Sequence, residues 1–228
     1  MHAGSPTRSQ LPVAAVVAAV AALLALACAS PPPPDPGLAY REEGEAALAV
    51  GDPETAVAAY QLALAVVPGD PRALDGLLAA QVANGEGEAA LETVSRIEKL
   101  GAGPANPCPA LSLTTRSRLG RGTAAEAEET ARRARAEACP GAAAELAEVL
   151  AARAAAEADA GETSRAIDHY REAIEVDPTA VSNFVAAGSL LLAEGQTDAA
   201  VALLADGLER HPDDRALRNL MVAALTIR

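Results

Sequence analysis

Residues 38–70 read LAYREEGEAALAVGDPETAVAAYQLALAVVPGD, and this stretch decides the fold. It carries small and aromatic residues at regular intervals, at Tyr40, Gly44, Ala47, Ala56, Tyr60, Ala63 and Pro68. Similar residues return with a period of about 34 residues nearer the C-terminus, first at Ala166, Tyr170, Ala173 and Pro178 and then at Phe184, Gly188, Gly195, Ala200, Leu204, Gly207 and Pro212. Within the stretch, Asp52 and Pro53 suit the N-cap and first position of a helix. The pattern therefore predicts a pair of antiparallel helices that recurs along the chain.

This spacing resembles that of the tetratricopeptide repeat (TPR), in which each repeat supplies two helices, A and B. The resemblance implies an all-α solenoid that binds proteins. We expect helices A and B to cross where Gly44 meets Ala56, and likewise where Gly188 meets Ala200, because larger side chains there would hold the helices apart. We expect the side chains that fill the seams between repeats to be those of Tyr60, Tyr170 and Leu204.

The resemblance covers nearly all of residues 38–228, firmly for three repeats and loosely for two, and predicts one TPR domain of about five repeats over this range. The match is weaker in residues 71–100, where Val94 and Ile97 replace the expected aromatic and small residues, and it is weakest in residues 108–141. Residues 213–227 are predicted to form a final solvating helix, as terminal repeats are usually atypical. The composition agrees with an all-α fold, because the chain has only three Tyr, one Phe and no Trp.

In this family the concave face of the solenoid is lined mainly by helix A. Carried over by position, the face is predicted to include Leu38, Arg41, Glu45, Leu48, Arg72, Asp75, Val82, Ser182, Val185, Ser189 and Leu192. Val185 and Leu192 either receive an apolar segment of a partner or pack on the terminal helix, and the sequence favours neither alternative.

The N-terminus predicts export. Residues 1–27 combine a polar start, the apolar run Leu11–Ala27 and small residues at its end, which are the three parts of a signal peptide. Cys28 resembles the acylated cysteine of bacterial lipoproteins, although Ala25 replaces the preferred leucine and Ala25-x-Ala27 also suits the ordinary signal peptidase. Residues 28–37 then form a proline-rich tether. In lipoproteins that follow the usual sorting rule, aspartate after the acylated cysteine retains the protein in the inner membrane, so the resemblance, with Ala29 at that position, implies an outer-membrane anchor facing the periplasm. The alternatives are a free periplasmic or secreted protein and an uncleaved membrane anchor.

Cys108 and Cys139 remain as an even pair once Cys28 is set aside. They stand at the start of helix A and the end of helix B of the weakest repeat, and these two places meet in an antiparallel pair. We predict a disulfide between them, with two independent buried thiols as the alternative.

Charge and residue types favour binding over catalysis. The formal net charge of −13 disfavours nucleic acid and anionic lipid as partners. The three histidines are isolated from one another in the sequence, and no set of nucleophile, base or metal ligands can be assembled. We therefore expect no catalytic residue, no metal, no cofactor and no small-molecule substrate.

Together these features predict a membrane-tethered adaptor that binds proteins in the bacterial cell envelope. Lipoproteins of similar build imply a role in assembling an envelope complex, such as a type IV pilus, a secretion system or the outer-membrane assembly machinery. The alternative is a regulatory or positioning subunit for a periplasmic enzyme such as a cell-wall hydrolase.

Overall fold

The computed structural model of this protein describes residues 35–100 and 106–227. This part of the chain contains eleven α-helices and no strand. In chain order they are α1 (Leu38–Ala49), α2 (Pro53–Val66), α3 (Pro71–Ala83), α4 (Gly87–Lys99), α5 (Cys108–Gly120), α6 (Ala124–Ala136), α7 (Ala142–Asp159), α8 (Thr163–Val176), α9 (Val181–Ala193), α10 (Thr197–Arg210) and α11 (Arg215–Ile227).

The helices form five A–B pairs followed by a single terminal helix. Each helix contacts the next one along the chain, and α1 also contacts α3, α3 contacts α5, α5 contacts α7, and α9 contacts α11. Contacts between A helices of successive repeats give a solenoid, because each repeat then packs only on its neighbours. The predicted all-α solenoid of about five repeats and a terminal helix is confirmed.

Local sequence explains where the helices start and turn. The side chain of Asp52 accepts a hydrogen bond from the backbone N–H of Thr55 at 3.1 Å, which caps α2. Asp70 caps α3 in the same way through the N–H of Arg72, at 3.0 Å. Every A-to-B turn contains one glycine with a φ of 70–79°, a conformation that costs other residues strain. The five repeats thus have the same type of turn between helix A and helix B, including the two repeats whose sequence pattern is weak.

Close packing in the first two repeats centres on Tyr60, which is 3% exposed. A Cβ atom added to Gly44 would lie 2.7 Å from Cε2 of the Tyr60 ring, and one added to Gly76 would lie 2.3 Å from Cε1. The crossing of α1 and α2 was predicted to bring Gly44 against Ala56; the three atoms nearest to a Cβ added at Gly44 all belong to the Tyr60 ring. At Gly188 the atom nearest to an added Cβ belongs to Leu204. Glycine is required at these crossings because a large side chain fills the space.

Candidate protein-binding surface

We call the surface formed by the outward side chains of α1, α3, α5, α7 and α9 the A-helix face. Of the residues predicted to lie on it, the structure leaves the following exposed: Leu38, Glu45, Arg72, Asp75, Ser182 and Ser189. Leu48, Val82, Val185 and Leu192 are half-buried. Ser189 directs its hydroxyl back to its own helix, donating to the carbonyl oxygen of Val185 at 2.7 Å. The face is therefore a mixed surface of charged, hydroxyl and small apolar groups.

A largely apolar cavity on this face lies between α3 and the start of α5. It has a volume of about 420 Å³ and is lined by Asp75, Leu78, Ala79, Val82, Asn106 and Pro109. We call it the α3–α5 cleft. Its wall combines the side chains of Leu78, Val82 and Pro109 with one carboxylate, Asp75, which suits an apolar side chain presented by a protein segment. Two of its residues, Asp75 and Val82, were predicted from repeat position.

Sequence reasoning missed the other four residues of the cleft. Leu78 and Val82 are four residues apart on α3, as are Asp75 and Ala79, so they form two adjacent stripes on one helix face. That spacing is visible in the sequence, but nothing in it shows that Asn106 and Pro109 come to lie opposite. The opposing wall depends on how α5 packs beside α3.

The disulfide holds the α5 side of this cleft. The sulfur atoms of Cys108 and Cys139 are 2.01 Å apart and their Cα atoms 5.4 Å apart. Cys108 is the first residue of α5 and directly precedes Pro109 of the cleft wall, whereas Cys139 lies between α6 and α7. The cross-link therefore ties the first turn of α5 to the end of its own repeat and positions Pro109.

Arg41 was predicted to lie on the A-helix face, but its side chain is buried and is not available there. It is 6% exposed and its guanidinium bridges two carboxylates, through an ion pair to Asp35 at 2.6 Å and a second one to Asp70. The physical reason is that Asp70, the cap of α3, comes beside Arg41 when repeat 2 packs on repeat 1. We call these three residues the Arg41 lock. The hydrogen bond from Arg41 is the main cause that holds the pKa of Asp35 below its usual range.

Val185 and Leu192 were open to two interpretations in the sequence, and the structure favours packing. Both are half-buried against an apolar cluster that includes Leu217 and Ala224 of the terminal helix α11. They therefore offer little free apolar surface at this end of the A-helix face.

A second cavity opens on the opposite side, between the B helices α2 and α4, with a volume of about 400 Å³. Part of its lining is polar, since Thr93 donates a hydrogen bond to Gln81 at 2.7 Å and Glu92 and Arg96 stand beside them. The polar side chains in its lining make this cavity less suited to an apolar ligand than the α3–α5 cleft.

Among residues 35–100 and 106–227, no group of three or more His, Cys, Asp or Glu side chains is arranged to hold a metal ion. His169 instead approaches Glu157, with 2.6 Å between Nδ1 and Oε2, and His211 approaches the carbonyl oxygen of Pro178 at 2.9 Å. The helices in the described residues are also too short or too polar to cross a membrane. Cys28 and the predicted signal peptide lie outside the described residues.

Comparison with known proteins places the fold. Residues 157–224 match the family model of the tetratricopeptide repeat. The search of curated proteins returned no match. Among solved structures, a TPR repeats protein from Bacteroides fragilis superimposes with a TM-score of 0.63 at 14% identity, covering 84% of this chain and 99% of that one.

A chain of the structure of Naa15/Naa10 bound to HypK-THB superimposes with a TM-score of 0.53 at 17% identity, covering 85% of this chain and 29% of that one. At these identities the likeness concerns the fold. The described part of this chain thus has the fold of a TPR solenoid, and the family pattern itself is matched over residues 157–224.

Proposed function

We propose that this protein is an adaptor that binds a partner protein through the A-helix face, with the α3–α5 cleft as the main contact. The observation that carries the proposal is the pairing of an apolar cavity of about 420 Å³ with a single carboxylate at its wall. Interfaces draw most of their energy from a few buried anchors, and a cavity of this size accepts one or two apolar side chains.

The arrangement of charges supports a protein segment as the ligand. Asp75 and Arg72 are both exposed on the first two turns of α3, so groups of both signs stand beside the apolar wall. These charged groups can bind polar groups of a protein segment, while the apolar wall contacts its apolar side chains. Arg41 takes no part in this contact, because its guanidinium is committed to Asp35 and Asp70.

We further propose that the adaptor works in the bacterial cell envelope, anchored to the outer membrane by acylated Cys28 and facing the periplasm, where it assists assembly of an envelope complex. This location rests on the signal-like residues 1–27, on Cys28 and on the proline-rich tether after it. The disulfide supports it, since such bonds persist in oxidising compartments.

Filling the cleft tests the binding proposal. Ala79 is exposed and lines the cleft, so Ala79→Glu introduces a charge there without disturbing the buried side of α3. The matched control is Ala58→Glu, at an alanine of α2 that is also exposed. Proteins captured from envelope extracts by the wild type and by Ala58→Glu, but not by Ala79→Glu, are the expected partners. If all three capture the same proteins in equal amounts, the cleft is not the binding surface.

The anchor is tested separately. Cys28→Ala is expected to release the chain from membranes, and mass spectrometry is expected to find a lipid on Cys28 of the wild type. An unmodified N-terminus that begins at or after Cys28 would refute the anchor, although the binding proposal would stand.

A further inference from the structure

The terminal helix α11 exposes an apolar face that its counterpart in the preceding repeat buries. Val222 is 65% exposed and Leu225 is 54% exposed. One repeat earlier, about 34 residues back, the equivalent residues of α9 are Gly188 and Leu191, and both are buried. Gly188 faces Leu204 of α10, and Leu191 clusters with Ala200 of the same helix. The exposed face of α11 is therefore the one that a following helix B would cover.

The opposite end of the solenoid also exposes a face whose counterpart in the next repeat is buried. Ala39, Glu42 and Ala46 are exposed on α1, while their equivalents one repeat later, Ala73, Gly76 and Ala80, pack on α2. Ala73 and Ala80 are completely buried. The exposed face of α1 is thus the one that a preceding helix B would cover, and small apolar residues remain at its centre.

The two end faces carry opposite charges. The α11 face holds Arg215 and Arg218, and helix α11 contains no acidic residue. Arg218 donates to the backbone carbonyls of Asp213 and Asp214, and neither arginine forms an ion pair within the described residues. The α1 face holds Glu42 and Glu43, which likewise have no cationic partner in the described part of the chain.

We propose that the α11 face of one copy binds the α1 face of a second copy, so that the protein associates head to tail. Each face then covers the apolar stripe of the other, and Arg215 and Arg218 meet Glu42 and Glu43. Like faces are worse partners, because two α1 faces would bring four carboxylates together and two α11 faces would leave those carboxylates unpaired.

This geometry predicts a particular kind of association. The two faces differ, so the contact is heterologous and leaves one unused face at each end of every oligomer. Two helix faces bury less than the roughly 1,600 Å² of a standard interface, so association is expected to be weak and concentration-dependent. The α3–α5 cleft lies between the two ends and remains free, so this inference does not depend on the proposed function.

The test uses the full-length protein, purified with whatever N-terminal processing the expression host carries out. Arg215→Glu/Arg218→Glu disables the α11 face, and Glu42→Lys/Glu43→Lys disables the α1 face. In sedimentation experiments the wild type is expected to form dimers and larger oligomers as its concentration rises to about 1 mM, a range that detects weak affinities. Each double variant is expected to stay monomeric.

Mixing the two double variants provides the decisive observation. Each retains one intact face, and the two reversed faces carry charges opposite to each other, so the mixture is expected to regain association into dimers and larger oligomers, with affinity at least tenfold above that of either variant alone. Arg116→Glu/Arg171→Glu is the control, because it makes the same charge change at exposed arginines outside both faces and is expected to associate like the wild type. Circular dichroism confirms that each variant is folded.

Three results would overturn the proposal. The wild type could remain monomeric throughout the concentration range. The α1 variant could associate as well as the wild type, which would indicate symmetric pairing through α11. Finally, the mixture of disabled variants could fail to form dimers although each is folded.

Discussion

Tyr60 offers the sharpest test of the packing, because its ring lies between two glycines. Gly44 of α1 faces Cε2 and Cδ2 of the ring, and Gly76 of α3 faces Cε1 and Cδ1. A ring displaced away from one glycine would therefore move towards the other. We predict that Gly76→Ala destabilises the protein, although alanine is the better helix former.

The magnitude follows from two opposing terms. Replacing a helical glycine by alanine stabilises by about 1 kcal/mol. The new Cβ atom of Gly76→Ala would lie 2.3 Å from Cε1 and from Cζ of Tyr60, and overpacking of this kind costs about 1–3 kcal/mol. Because the ring cannot retreat, we expect the upper end of that range and a net loss of about 2 kcal/mol. In a domain of this size that lowers Tm by roughly 4–8 °C.

Urea unfolding followed by circular dichroism measures the change. Gly120→Ala is the matched control, because Gly120 ends helix α5 with no other atom within 4 Å of the added Cβ, and it is expected to be neutral or slightly stabilising. In a Tyr60→Leu background, Gly76→Ala is expected to lose most of its cost, giving a coupling energy of about 2 kcal/mol. Equal effects of Gly76→Ala in both backgrounds would refute the clamped ring.

Two further predictions concern the cross-link and the Arg41 lock. Reducing the disulfide, or replacing both cysteines by serine, opens a loop with a sequence separation of 31 residues and is expected to lower the free energy of unfolding by about 3–4 kcal/mol; coincident urea transitions of oxidised and reduced protein would contradict this. Arg41→Ala is expected to lower Tm because Asp35 and Asp70 lose their common partner. Since the pKa of Asp35 is lowered in the folded state, its contribution to stability is present above its unfolded pKa of about 3.9 and is lost as the pH falls through the lower folded value. Thermal melts of wild type and Asp35→Asn should therefore converge on acidification, and a difference in Tm that stays constant below pH 4 or so would count against the lock.

The positions of the helices could be predicted from the sequence because each repeat is a local structure. Gly51, Asp52 and Pro53 specify the first turn through backbone conformation and capping, and neither requires a distant residue. Even the repeat of residues 108–141, whose pattern is poor, forms two full helices, α5 and α6. Its neighbours supply the packing that its own sequence signals only weakly.

The binding surface was less accessible, because position in a repeat indicates which way a side chain points but not what it meets. Asp75 and Val82 were located by position, whereas Asn106 and Pro109 join them only through the packing of α5 beside α3. Arg41 occupies a groove position in the pattern, yet Asp35 and Asp70 draw it into a buried ion-pair network. A repeat pattern contains no information on such contacts between repeats.

The amino-acid order alone therefore specifies the all-α repeat architecture, because alternating helices, caps and small residues at crossings act over one period of the chain. Tertiary structure decides which groups remain free to bind. It removes Arg41 from the surface, turns Val185 and Leu192 towards the cluster shared with α11, and leaves Val222 and Leu225 uncovered. These outcomes depend on which helix lies next to which, and that is settled only when the repeats stack and exclude water from their shared faces.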